Sequence, residues 1–272
     1  ARLKGSLLTI PIVNVYGVIH HSRYLTDRRD LNRSIPGSVR GSLAARLAHL
    51  FMSEIVANST HGIDLHTGAN HRDNLPQVRA NLDDEATAAL AQTFGVPVII
   101  NADLRDGSLR AEAGEAGIPM LLYEAGEGLR FDEVSIRAGL QGIRNVMRAL
   151  GMLPAARTSK RTPAKPFVAR SSRWIRAPES GIFRSLTALG AMVEEGGLLG
   201  YISDPFSQAE TPLHAEFDGI VIGRTNLPLV HEGDALYHIA RFEDTDKVGA
   251  RLEVFQQRQE EGIDASSDAP LV

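Results

Sequence analysis

The 272-residue sequence predicts an α/β fold in its first half and a small all-β module in its second. Three observations carry this. Short apolar runs alternate with helix-period segments over residues 1–153. A proline- and cation-rich stretch, 154–173, breaks the alternation. Residues 174–246 then show many glycines, no long helical period and an internal repeat. Strands alternating with helices argue layers built around a largely parallel sheet.

The elements follow in order. "SLLTIPIV" (6–13) is short, apolar and partly β-branched, the pattern of a strand buried on both faces. Leu43, Leu47, Leu50, Phe51 and Ile55 fall at helical spacing, and Ser42 before them is an N-cap residue type. "GIDLH" (62–66) predicts a short strand. "DDEATAALAQTF" (83–94) predicts a helix, acidic in its first turn and followed by Gly95. "VPVIIN" (96–101) and "IPMLLYE" (118–124) predict two further strands, and Ile136, Leu140, Ile143, Met147 and Leu150 a second long amphipathic helix.

"PAARTSKRTPAKPFVARSSR" (154–173) holds three prolines, six Lys/Arg and no acid, and reads as a solvated linker. Beyond it, "APESGIF" (177–183) matches "AEFDGIV" (215–221), and "VEEGGLLGYI" (193–202) matches "VHEGDALYHI" (230–239). A two-fold repeat of two-strand units suggests a pseudo-symmetric β-module over 174–246. It resembles the barrel-sandwich of biotinyl/lipoyl carriers. Those carriers modify a lysine at a hairpin tip, and no lysine lies between Lys165 and Lys247. A structural role, a lid or an oligomer contact fits better. Residues 247–272 form a polar tail whose first part has helical character.

Composition excludes several classes. Net charge is −4 and the pI about 6.2, so no broad basic surface for nucleic acid or anionic lipid is expected. The absence of cysteine removes disulfides, thiolate metal sites and a cysteine nucleophile. No apolar run approaches the roughly 20 residues of a membrane span, and no signal-peptide pattern is visible. A cytoplasmic location is the expectation.

Four features can carry chemistry. His66 and Glu124 end apolar strand runs and enter glycine-containing turns, where open α/β sheets bind ligands. Asn32-Arg33, in "DLNRSIPG" (30–37), sets an amide beside a guanidinium fork suited to a carboxylate. Arg23, in "HSRYL" (21–25), precedes that pair by a short loop. Each also has an ordinary reading: a hydrogen-bonded histidine, an edge ion pair, a loop. Arg72 and Arg79 either help bind an acidic group or pair with Asp73, Asp83 or Asp84.

The order "SRYL … DLNRSIPG … DLHTG … YEAGEG" resembles the succinylglutamate desuccinylase/aspartoacylase family, within the zinc-carboxypeptidase fold, over most of residues 5–150. The resemblance implies a mixed sheet flanked by helices and a Zn2+-dependent hydrolase of small N-acyl amino acids. It implies His66 as a zinc ligand and Glu124 as the general base and acid. Asn32 and Arg33 would bind the substrate carboxylate, and Arg23 would polarise the scissile carbonyl; Arg72, which the resemblance does not assign, is a further candidate for an acidic substrate group. The rivals are a carboxypeptidase or amidase on a peptide-like compound, and a metal-free binding protein on the same scaffold. A homo-oligomer is compatible with either.

One departure stands out. The family takes two further zinc ligands from an upstream H-x-x-E motif, and none of the nine histidines here has Glu three residues later. Either that segment precedes Ala1 or the metal site is lost. A strand pattern that begins within seven residues of Ala1 favours the first.

Overall fold

A computed structural model describes residues 3–102, 107–155, 166–204, 206 and 209–264. The direction of its sheet is set early. Strand β1 (Gly62–Gly68) and strand β2 (Arg72–Ala80) are separated by Ala69, Asn70 and His71 alone. A parallel neighbour needs a crossover of about a dozen residues, so the chain reverses. Strand β3 (Val98–Asn101) then returns parallel to β2. Strand β4 (Met120–Glu127) runs parallel to β1 and antiparallel to β2. The sheet that strand–helix alternation suggested as largely parallel is therefore mixed, as the family resemblance implied. What misled was β2, whose "RDNLPQVRA" lacks strand composition.

Helices cover both faces. Helix α1 (Val15–Ile19) is one short turn capped by Asn14, and α2 (Leu43–Glu54) is capped by Ser42, whose hydroxyl accepts from the Ala45 N–H. Helix α3 (Glu85–Phe94) starts at Asp84 and stops at Gly95, held at a left-handed φ of 99°. Helix α4 (Leu109–Glu115) is capped by Ser108 and α5 (Glu133–Ala149) by Asp132. Phe94 of α3 and Val146 of α5 share a core with Val78, Leu121 and Tyr123 on one sheet face. Gly142 of α5 lets the two helices meet there: a Cβ would lie 2.1 Å from the Phe94 ring. By strand alternation Met120 faces the other way, and it packs with Leu31, Ala44 and Leu109 under α2 and α4.

Residues 6–13 are not a strand. Leu7, Leu8, Ile10 and Ile12 are exposed, and among the described residues no strand pairs with this run. Its composition matches a buried strand, but strand formation needs a neighbour as well.

The second half is nearly all strand. It contains β5 (Phe167–Ala169), β6 (Ser171–Arg176), β7 (Gly181–Ser185), β8 (Met192–Val193), β9 (Leu198–Ser203), β10 (Glu210–His214), β11 (Gly219–Thr225), β12 (Leu229–Val230) and β13 (Ala235–Arg241). Of the expected linker, residues 156–165 lie outside the described residues, and 167–169 and 171–173 are strand. Phe167 explains the change, because its N–H bonds the Pro97 carbonyl and its ring joins the core with Val98 and Ile100. The expected polar tail opens as helix α6 (Thr245–Asp264), which buries Val248 and Leu252 completely.

The repeat is visible in the pairing. Strands β7 and β9 lie between β12 and β10, while β11 and β13 lie between β8 and β6. Val230 pairs Gly181 as Val193 pairs Gly219, and Phe183 pairs Ile202 as Val221 pairs Ile239. Both glycines permit close approach: a Cβ at Gly181 would lie 2.6 Å from the Ser203 carbonyl oxygen, and one at Gly219 2.5 Å from that of Ala240. The two sets share one core containing Ile175, Phe183, Leu199, Leu236 and Tyr237.

This half is hydrogen-bonded into the first. β11 pairs antiparallel with the start of β2, Gly223 opposite Asn74 and Thr225 opposite Arg72, so one nine-stranded sheet runs through both. Among the described residues no helix is long and apolar enough to cross a membrane.

Candidate active site

Parallel pairing of β1 and β4 sets His66 directly opposite Glu124. The two-residue period puts Asp64 on the same face as His66, and Asp64 Oδ2 lies 2.9 Å from His66 Nε2. On the far side of β4, Gln77 registers with Glu124, and Arg79 stands two residues further on. Arg79 Nε lies 2.6 Å from Glu124 Oε2. The Nε–H makes no aligned hydrogen bond, so the contact is one of charge. Burial pulls the His66 pKa down, but the hydrogen bond and charge of Asp64, helped by Glu124, outweigh it, and the net shift is upward.

A cleft of about 250 Å³ opens beside His66. Arg23, Asp30, Asn32, Asp64 and His66 give it a polar wall, and Leu31, Phe51 and Leu109 an apolar one. Asp30 organises the entry. Its carboxylate accepts from Arg23 Nε at 2.8 Å and from the Asn32 N–H at 3.0 Å. Asn32 Oδ1 in turn accepts from the Leu109 N–H at the start of α4, at 2.9 Å. The amide is thereby oriented, with its NH2 end available to a ligand.

The structure thus gathers four of the expected residues, His66, Glu124, Arg23 and Asn32, and leaves two elsewhere. Arg33 is exposed and folds back to donate to the Asn32 carbonyl. It follows Asn32 in a single 3-10 turn, where consecutive side chains diverge. Arg72 lies over the Trp174 ring, 5.2 Å from its centroid, where β2 meets β11.

Sequence reasoning missed Asp64, Gln77 and His238, and ranked Arg79 below Arg72. Asp64-x-His66 and Gln77-x-Arg79 both have the spacing of one strand face. The second was hidden by Pro76, which breaks strand patterns. Here the β2–β4 register shifts between Asn74 and Gln77, and a shifted stretch tolerates proline. His238 comes from the repeat and had no local signal. Burial, reinforced by the charge of Arg79, pushes its pKa down to about 3, and its ring stacks on Trp174 at 4.7 Å.

A catalytic zinc takes three protein ligands. Among the described residues no three His, Asp or Glu side chains converge as a metal site, and the Nε2 of His66 meets Asp64. The described donor set fits one ligand of a zinc centre and not a whole one.

Fold and site together define a mixed α/β protein with a polar cleft beside the carboxyl end of β1. The family model for the succinylglutamate desuccinylase/aspartoacylase catalytic domain matches residues 1–150. The chain belongs to that family. It is 26% identical over 252 residues to an N-alpha-acetyl-L-2,4-diaminobutyric acid deacetylase of Halomonas elongata, which covers 88% of this chain and 73% of that protein. The crystal structure of a succinylglutamate desuccinylase/aspartoacylase from Rhodobacter sphaeroides superposes with a TM-score of 0.76 at 26% identity, over 86% of this chain and 74% of that one. The product-bound ectoine utilization protein EutE (DoeB) of Ruegeria pomeroyi shares the fold, with a TM-score of 0.75 at 24% identity over 85% and 74% of the two chains.

Proposed function

We propose that the cleft hydrolyses the amide of a small N-acyl amino acid, as a deacylase of carbon–nitrogen bonds other than peptide bonds. The observation that carries this reading is the register of His66 with Glu124 beside a cleft that also holds Arg23 and Asn32. Family membership and the deacetylase of Halomonas elongata support the reaction class.

The side chains divide the work. The Asn32 amide binds the substrate carboxylate and holds the scissile carbonyl toward His66. The Arg23 guanidinium stabilises the negative charge that forms on the carbonyl oxygen. Glu124 takes a proton from the attacking water and returns it to the leaving amine. Arg79, with its Nε 2.6 Å from Glu124 Oε2, holds that carboxylate aimed between those two tasks. Arg33 and Arg72 enter only if ligand binding turns them inward. The resemblance implies zinc at His66. In the same reading the β-rich second half, residues 174–246, is a barrel-sandwich module, supported by the matched registers of its two copies.

Glu124→Gln keeps the shape and removes the base. Hydrolysis of N-acetyl amino acids should fall by about 10²-fold or more, with zinc content by elemental analysis unchanged. A variant that stays active removes Glu124 from this role.

A further inference from the structure

The polar face of the sheet continues past Glu124. Register carries it from Glu124 to Gln77 on β2 and, two residues along β4 and across the β2 irregularity, from Gly126 to Asn74; from there it passes to Gly223 on β11 and to His238 on β13. Trp174 on β6 follows, opposite His238. Residues directly opposite on neighbouring strands share a face, so Glu124, Gln77 and His238 project from the same side.

Two of these side chains are buried and carry polar atoms that have no partner among the described residues. Gln77 is 0% exposed, and among the described residues neither its Oε1 nor its Nε2 has a partner. His238 is 4% exposed and its Nδ1 is likewise unpartnered. A native structure seldom leaves a buried carboxamide unbonded at both ends. Such a group is completed by ordered water or by a ligand.

The chemistry of the row selects the ligand. Arg79 charges the region around His238, and Arg72 lies over Trp174 behind it, so a cationic group is repelled. The charge of Arg79 is already met by Glu124, so an anion gains little. It would also leave the Gln77 carbonyl oxygen facing negative charge. His238 is held neutral by burial and by Arg79, so its Nδ1 donates or accepts according to tautomer. An uncharged group that both donates and accepts satisfies every open atom, and a primary carboxamide does so in one unit.

Direction follows from the cleft. Asn32 shares its walls with Asp64 and His66 of β1. With the substrate carboxylate at Asn32 and the scissile carbonyl near His66 and Glu124, the acyl chain runs the other way, over β2. We propose that Gln77 and His238 form an acyl-end subsite that selects an N-acyl amino acid whose acyl chain ends in an uncharged carboxamide. The inference rests on the deacylase reading for its direction. It makes β13 part of the substrate site.

The test compares N-succinamoyl-, N-succinyl- and N-butyryl-L-2,4-diaminobutyrate as substrates of the full chain. The subsite predicts kcat/KM highest for the succinamoyl compound, by about tenfold or more over both others. Gln77→Met and His238→Phe should each erase that ratio. Phe keeps the stack on Trp174, so His238→Phe carries the comparison should Gln77→Met not fold. Highest activity on the succinyl compound overturns the proposal in favour of an anion site. Equal activity on the butyryl compound, or ratios unchanged in both variants, overturns it in favour of bound water alone. Each of these results leaves the deacylase reading standing. Hydrolysis of none of the three, nor of the N-acetyl compound, overturns the deacylase reading. Calorimetric titration of the free acids then decides the subsite. Succinamate binding tighter than succinate and butyrate, and lost in Gln77→Met or His238→Phe, sustains it, and any other order overturns it.

Discussion

The first copy of the C-terminal repeat, β6 to β9, and the second, β10 to β13, pair strand for strand, in the same register except where β11 shifts between Val221 and Gly223, yet only β11 of the second copy bonds to β2. Equivalent positions then diverge. Tyr201 of the first copy lies under the Arg184 guanidinium, 5.1 Å from its ring centre, at a partly exposed site. Its counterpart His238 is buried within reach of the Arg79 charge. Gly200 corresponds to Tyr237, whose hydroxyl donates to the Leu199 carbonyl and bonds Ser185 across the core. The two copies share the glycines and branched residues that close their sheets. The buried polar side chain lies in the copy that pairs with β2.

The largest test of that contrast breaks the dock. Glu127 is 9% exposed and accepts from the His71 N–H, from Arg130 Nε and from Asn226 Nδ2 of the second half. Glu127→Ala should destabilise by about 3 kcal/mol in urea unfolding and lower activity as well. A loss under about 1 kcal/mol would mean the halves are held together by other contacts.

Next come the paired glycines. Gly181→Ala and Gly219→Ala each push a Cβ into a facing carbonyl oxygen and should each cost about 1–3 kcal/mol. Only Gly219→Ala, on the docked copy, should also reduce kcat/KM. Equal activity in the two variants would erase the functional difference between the copies.

A smaller effect depends on pH. His238 is neutral when folded, because its pKa is pushed down to about 3, while the unfolded chain takes up a proton below its ordinary value of about 6.5. The stability it allows is complete above that value and is lost as pH falls toward 3. Urea midpoints should therefore decline over this window more steeply in the native protein than in His238→Phe. Parallel profiles would show that the ring is solvated. The smallest effect is expected at Arg173 and Glu216, 3.4 Å apart and both largely exposed. Glu216→Ala should shift stability by no more than about 0.5 kcal/mol, and a larger change would reveal a network.

How much of this was legible in the sequence varied with range. His66 and Glu124 could be placed because each ends a local apolar run, and the helices because Ser42, Asp84 and Gly95 mark their ends. Asn32 and Arg33 could be singled out but not separated, since a turn does not announce which of two neighbours faces inward. β2 was illegible. Its proline and five charged or amide side chains, Arg72, Asp73, Asn74, Gln77 and Arg79, suit a loop by composition, and only pairing with β4, β3 and β11 makes it a strand. His238 was illegible for the same reason, because its environment is made by residues far away in the chain.

Strand β2 also has a consequence for synthesis. The Thr225 hydroxyl bonds the His71 carbonyl 154 residues earlier, and β11 covers the start of β2 just beside it. While the ribosome makes the chain, that end of β2 stays open until β11 has emerged. Contacts of such long range form slowly and leave an unpaired edge in the interval. Residues 1–150 therefore emerge before the strand that completes their sheet, and the start of the strand that carries Gln77 and Arg79 is sealed only once β11 is made.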